Sequence, residues 1–180
     1  MRIISGSARG TKLELKKDEN TRPTTDRVKE ALFNIIQFEL VGKTFLDLFG
    51  GTGQIGIEAH SRGAEEVIIV ENQKANFNII KKNLAKIRSP ENIKIIYSDA
   101  LNFLNKFDKK IDIAFLDPPY KSDLLDKILP KTAKIMDKNG VIITETSSSE
   151  KILNEFQEFT LQKRYKYGNI SLNLYIIKQA

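Results

Sequence analysis

Asp117-Pro118-Pro119-Tyr120 is the segment whose residue types ask for a chemical explanation. A planar base amine is a poor nucleophile, because its nitrogen lone pair is delocalised into the ring. It carries two hydrogens, so two fixed acceptors can hold it and draw the nitrogen toward tetrahedral geometry. The Asp117 carboxylate and the Pro118 carbonyl are suited to be those acceptors. Pro118 and Pro119 lack N–H groups and restrict the residues before them, so the loop cannot wind into a helix that would consume the carbonyl. Tyr120 offers a flat face on which a base can stack, a contact of about 1–3 kcal/mol. The plain alternative is a turn that closes a buried strand.

A second cluster lies upstream. Gly51-Thr52-Gly53-Gln54-Ile55-Gly56 has G-x-G-x-x-G spacing, and Glu71 follows 20 residues after Gly51. This pattern serves dinucleotides and S-adenosylmethionine alike, because Gly50, Gly51 and Gly53 let the backbone approach a ligand in either case. Asp47, just before the loop, favours the second cofactor: a carboxylate there repels a pyrophosphate and suits ammonium and sulfonium charges. Its alternative role is to bond loop amides. Glu71, with Asn72 beside it, is placed to accept ribose hydroxyls. Asp99-Ala100 could accept from an adenine amine and donate a backbone amide to its ring, or Asp99 could simply cap a helix.

The elements that must position these residues are legible from residue 44 onward, where short apolar runs alternate with stretches of helical period. That is the pattern of a Rossmann-like α/β fold, a mostly parallel sheet wrapped by helices. Strands are expected at 45–49, 67–70, 93–97, 111–116 and 141–144. Helices are expected from the Ile55/Ile57/Ala59, Phe77/Ile79/Ile80/Leu84 and Leu124/Leu125/Ile128/Leu129 stripes, with Pro130 kinking or ending the last. Two strand-like runs around Gly168-Asn169 read as a closing antiparallel hairpin. At the front, Arg2–Ser5 and Thr11–Leu15 flank a Gly6-to-Gly10 turn, suggesting a hairpin extension over residues 1–20. Thr24 or Thr25 then caps a helix that puts Val28, Leu32, Ile35 and Ile36 on one face. The whole, 1–180, reads as one domain.

Composition narrows the function classes. The net charge of +6 favours a polyanionic partner, and most of the excess falls within residues 1–29. There are no cysteines, and His60 is the single histidine, so disulfides and zinc clusters are excluded and no catalytic metal is expected. His60 itself is expected on an exposed helix face. No apolar run approaches a membrane span and no signal-peptide core is evident, so the expected location is cytoplasmic.

At this point the chain resembles the RsmD family of small-subunit ribosomal RNA guanine-N2 methyltransferases. The resemblance rests on Arg2-Ile3-Ile4-Ser5-Gly6, the block from Arg22 to Asn34, Asp47-Leu48-Phe49-Gly50-Gly51-Thr52-Gly53, Ser61-Arg62-Gly63-Ala64 and the Asp117 tetrapeptide. Gly51-Thr52 stands where the family often has Ala-Ser, and His60 where an apolar residue is usual. The resemblance implies a seven-stranded methyltransferase sheet, S-adenosyl-L-methionine as cofactor, and methylation of one guanine N2 in 16S rRNA within small-subunit particles, by a monomer. The N-terminal extension would help to hold rRNA. Arg2, Arg9, Lys12, Arg22 and Arg27 are the expected RNA contacts, and Thr24 and Thr25 could close over the cofactor or cap a helix. Three other readings stand beside it: a DNA adenine-N6 methyltransferase, a nicotinamide-dependent oxidoreductase, and a non-enzymatic rRNA-binding assembly factor. A chain of 180 residues leaves the first of these little room for a sequence-reading domain.

Overall fold

The computed structural model describes residues 1–16, 26–119 and 124–178. Arg22, Thr24, Thr25 and Tyr120, each given a role above, lie outside the described residues. Five parallel strands form the body of the sheet: β1 (Thr44–Asp47), β2 (Glu66–Glu71), β3 (Ile93–Tyr97), β4 (Ile111–Leu116) and β5 (Met136–Ser147). Helices α2 (Gln54–Ser61), α3 (Lys74–Lys86), α4 (Ala100–Lys106) and α5 (Leu124–Ile135) connect them, and α1 (Asp26–Ile35) precedes them. Antiparallel strands β6 (Glu155–Phe156), β7 (Phe159–Tyr167) and β8 (Ile170–Ile177) close the sheet, with β8 paired to β5.

Among the described residues the strand order is β3-β2-β1-β4-β5-β8-β7-β6. Seven of these strands are the expected ones. The eighth, β6, is a two-residue edge held because Phe156 stacks on Phe159 and meets Tyr175 edge-on. Chain order reverses between β1 and β4, which opens a crevice at their carboxyl ends. The sheet is apolar on both faces, as a parallel sheet sandwiched by helices must be. Phe45, Val67, Ile69, Phe115 and Ile143 pack under α1, α2, α3 and the N-terminal segment, while Leu46, Ile68, Leu116 and Ile142 pack under α4 and α5.

Three local expectations are narrowed or corrected. Of the two outcomes expected at Pro130, a kink or an end, the end does not occur: helix α5 continues five residues past it, because Leu125, Ile128, Leu129 and Ala133 are buried on one face and outweigh the missing hydrogen bond. Strand β5 is longer than 141–144 at both ends, since β4 pairs with it at Met136 and β8 from Val141 to Ser147. His60 is half-buried rather than exposed, and burial pushes its imidazole below the usual pKa.

The N-terminal hairpin is reduced to a single bridge, Arg2 to Lys12, with Ile3 donating to Thr11 and Leu13 to Met1. It is held in place through α2. The Ile4 and Ser5 amides donate to the two Glu58 carboxylate oxygens at 2.9 and 3.0 Å, and Ser7 donates to the Ser61 carbonyl at 2.7 Å. Gly6 adopts φ +87° against this helix, where a Cβ would lie 1.6 Å from the Ser61 carbonyl oxygen. Lys29 of α1 completes the junction. It is fully buried, sits 3.2 Å from Glu58 and donates to the Arg2 carbonyl at 2.7 Å, while Arg62 reaches Glu58 at 2.8 Å. Lys29 therefore does not belong to the exposed basic surface to which its sequence position assigns it.

Candidate functional site

The crevice at the switch point collects most of the residues singled out above. Gly53 caps α2 in a left-handed conformation, and the Gly56 amide donates to Asp47 at 3.1 Å. Gly56 also has to be glycine for packing, since a Cβ there would come within 2.5 Å of Ile69. Gly50 donates to the Val70 carbonyl at 2.8 Å, and around Gly51 there is open space. The loop is thus fixed from below and open above. Asn83 of α3, which the sequence reading missed, holds it from the side. Its amide donates to the carbonyls of Thr52 at 2.9 Å and Glu14 at 3.1 Å, and its oxygen accepts from the Glu14 amide. The chain leaving the hairpin is thereby tied to the glycine loop.

Strand register puts four carboxylates on one face of the sheet. Asp47 pairs with Ile69 and Phe115, and Phe115 with Ile143. Glu71, Asp117 and Glu145 follow two residues beyond those partners, and side chains two residues apart share a face. The row runs from β2 through β1 and β4 to β5. Asp47, Glu71 and Glu145 are buried, Asp117 is half-buried, Pro118 is buried and Pro119 is exposed. Burial pushes the Asp47 carboxyl up to about 7; Glu71 adds to this, against the opposing Gly56 hydrogen bond. Asp117 is raised well above the usual carboxylate range, by burial first and then by the charges of Glu145 and Asp47.

Glu145 is the second omission of the sequence reading. The signal available was a carboxylate inside a β-branched run, Val141-Ile142-Ile143-Thr144-Glu145-Thr146.

A lateral cleft of about 370 Å³ adjoins the row, lined by Asn72, Tyr97, Ser98, Asp99, Asn102 and Lys106. Asn72 and Asp99 thus converge, and Ala100 is buried behind them. Asp99 accepts from the Asn102 amide at 2.9 Å, so it caps α4, and this hydrogen bond lowers its pKa. Capping leaves its exposed edge facing the cleft. Tyr97, half-exposed and edge-on to Phe77, adds an aromatic wall that the sequence did not announce. Arg2, Arg9, Lys12 and Arg27 are exposed, and Arg2 and Lys12 are cross-strand partners.

An acidic row of this kind fits a cationic ligand and opposes a pyrophosphate. A buried carboxylate such as Asp47, facing other acids with only backbone donors for support, is stabilised by an ammonium or sulfonium nearby. The residues present therefore fit S-adenosylmethionine better than a nicotinamide dinucleotide. No group of acidic residues and histidine suited to a metal ion occurs among the described residues, and no helix among them is long and apolar enough to cross a membrane.

Comparison with known proteins agrees with this chemistry. The family described as Conserved hypothetical protein 95 matches residues 1–176. Ribosomal RNA small subunit methyltransferase D of Haemophilus influenzae is 35% identical, with 97% of this chain and 93% of that protein covered. The protein of the same name from Buchnera aphidicola subsp. Acyrthosiphon pisum is 36% identical, covering 97% and 92%. The solved structure of the methyltransferase candidate yhhF from Escherichia coli superposes with a TM-score of 0.88 at 30% identity, over 100% of this chain and 99% of that one. With an open α/β sheet, a glycine loop and an Asp-Pro-Pro corner at one switch point, the chain belongs to the RsmD family of small-subunit ribosomal RNA methyltransferases.

Proposed function

We propose that the chain transfers a methyl group from S-adenosyl-L-methionine to the N2 amine of one guanine in 16S rRNA. In this reading it acts as a single domain and a monomer, on rRNA carried in the small subunit or an assembly intermediate. The observation that carries the reading is the Asp117-Pro118 corner, which leaves β4 beside β1 and its glycine loop. Bound S-adenosylmethionine supplies an electrophilic methyl carbon on a sulfonium. The chain does the rest by orientation and charge.

Asp117 and the Pro118 carbonyl accept the two amine hydrogens and aim the nitrogen. The raised Asp117 pKa makes its carboxylate a competent acceptor for the proton released on transfer. Tyr120 would stack on the base, which has to leave its helix to reach an enclosed corner. Asp47 answers the ligand's positive charge, and Glu71 takes the ribose hydroxyls. Gly50, Gly51 and Gly53 admit the ligand, while Asn72, Asp99 and Ala100 meet the adenine end.

Arg2, Arg9, Lys12 and Arg27 grip phosphate, and Arg22 joins them in this reading. Arg2 and Lys12 are like charges on paired residues, an arrangement that costs stability until an anion lies across it.

The direct test is mass mapping of small-subunit rRNA after incubation with the protein and labelled cofactor. One guanine should gain one methyl, and adenine in DNA oligonucleotides should gain none; the reverse pattern would establish the adenine-N6 enzyme instead. In the same assay, an Arg2→Gln, Lys12→Gln double variant should bind RNA with a salt slope shallower by about 0.7–0.9 per lost phosphate contact. Its rate at saturating RNA should be unchanged. A salt slope equal to that of the unmodified chain would remove these two residues from the interface.

Asp47 makes cofactor binding dependent on pH. The bound cation favours the ionised carboxylate, so affinity should fall as pH drops below about 7, approaching tenfold per unit. For the ligand-free protein the sign is opposite. A carboxyl whose folded pKa lies above its unfolded value binds more protons when folded, so its burial costs progressively more stability as pH rises from about 4 to 7. Asp47→Asn should therefore be more stable than the unmodified chain at pH 8, by a few kcal/mol at most, while binding the cofactor weakly at every pH. Titration calorimetry and denaturant unfolding at pH 5.5 and 8 read both effects. Unchanged cofactor affinity in the variant would leave Asp47 as a loop anchor only.

A further inference from the structure

A second acid stands at the methyl-transfer corner. Leu116 pairs with Thr144, so the next residues, Asp117 and Glu145, lie side by side on the same face. Glu145 is 2% exposed, and Leu172 of β8 flanks it on the other side. The opposite face of this strand end is locked. The fully buried Asn173 donates to the hydroxyls of Thr144 at 3.0 Å and Thr146 at 2.9 Å, fixing β5 to β8 and with it the direction in which Glu145 points. Two neighbouring carboxylates held this firmly repel each other, as the effect of Glu145 on Asp117 shows.

A guanine presents hydrogen-bond donors to such a pair of neighbouring acceptors. Its ring N1–H lies beside the N2 amine, so its pairing edge presents three hydrogens on two adjacent nitrogens. Asp117 and the Pro118 carbonyl use the two on the amine, which leaves N1–H requiring an acceptor. Adenine presents a lone pair at the corresponding ring nitrogen, which a carboxylate repels. We propose that Glu145 selects guanine, its carboxylate accepting the ring N1–H while Asp117 and the Pro118 carbonyl hold the amine. This rests on the guanine-N2 reading above and names the residue that makes the site reject other amine-bearing bases. Sites that hydrogen-bond a substrate group discriminate strongly against analogues lacking it, the more so where a lone pair would face a carboxylate.

The test uses small-subunit particles reconstituted with either guanine or 2-aminopurine at the mapped position. 2-Aminopurine keeps the N2 amine but has a lone pair at N1. Unmodified protein should show a kcat/KM about 10–100-fold lower on 2-aminopurine, the effect of one hydrogen bond to a charged group. Glu145→Gln, whose amide can donate to that lone pair but accepts N1–H only as a neutral group, should lose on guanine by less than that factor and gain on 2-aminopurine, so that the preference narrows or inverts. Cofactor affinity measured on the variant checks that it is folded.

Equal transfer to both bases by the unmodified protein would overturn the proposal without recourse to any variant. So would a Glu145→Gln protein that slows on both bases by the same factor, since a purely supporting side chain predicts that pattern. Absence of guanine methylation by the unmodified protein would instead sink the functional reading on which the proposal rests.

Discussion

Replacing Asp117 with alanine is expected to lower methyl transfer by about 10²–10⁴-fold while leaving RNA and cofactor affinity nearly intact. Asp117 is asked to orient one amine hydrogen and to take a proton, and both matter more in the transition state than in the bound complex. Rate should therefore suffer rather than binding. Loss of fold does not account for such a result, because removing this carboxylate relieves its repulsion by Glu145 and Asp47. Asp117→Asn separates the two roles. It keeps a neutral acceptor for the amine but cannot accept the proton, so it should fall between alanine and the unmodified chain.

Only the ionised carboxylate can act, so the rate should decline on the acid side through a pKa above the ordinary carboxylate range, and this limb should vanish in Asp117→Asn. Single-turnover kinetics across pH, with RNA binding measured alongside, read both variants against the unmodified chain. Transfer at an undiminished rate by Asp117→Ala would remove the residue from the mechanism. The same alanine variant addresses the non-enzymatic assembly factor, which predicts no transfer by the unmodified protein.

The parts of this site that could be read from sequence are those whose meaning is local. Glycine spacing before a helix, two prolines after an apolar run and a carboxylate at the end of a strand each constrain their own segment. Three of the four acids were visible singly but not as a row, because the row depends on register between strands. Glu145 looked like the polar end of a short strand, and only pairing with β8 shows that the strand continues and buries it. Asn83 was hidden for a similar reason: a polar residue beside an apolar stripe looks solvated until the hairpin is laid across it. Asp99 carried two readings, and its cap geometry serves α4 while leaving an edge to the cleft. At Pro130 the local rule allows a kink or an end, and burial of the flanking face carries α5 past it.

Lys29 shows the same limit for charge, and it leads to the largest expected effect on stability. It lies in the basic stretch 1–29, yet it and Glu58 are both fully buried, and Glu58 also accepts from Ile4, Ser5 and Arg62. Glu58→Ala should cost about 3–5 kcal/mol, a large share of the stability of a small domain, because it leaves the Lys29 ammonium uncompensated and two hairpin amides without acceptors. Lys29→Met should cost less, since Arg62 and the two amides still satisfy Glu58.

The damage should also be directional. Glu58 joins the hairpin to the helix that begins at the glycine loop, so in Glu58→Ala the amides of Ile3, Gly10 and Leu13 should exchange with solvent well before those of β1 and β4. RNA affinity should fall with them, ahead of cofactor affinity. Denaturant midpoints rank the variants, and amide exchange locates the opening. A midpoint for Glu58→Ala equal to that of the unmodified chain, with the hairpin still protected, would mean that apolar packing of Ile3 and Leu13 holds the extension without the buried pair.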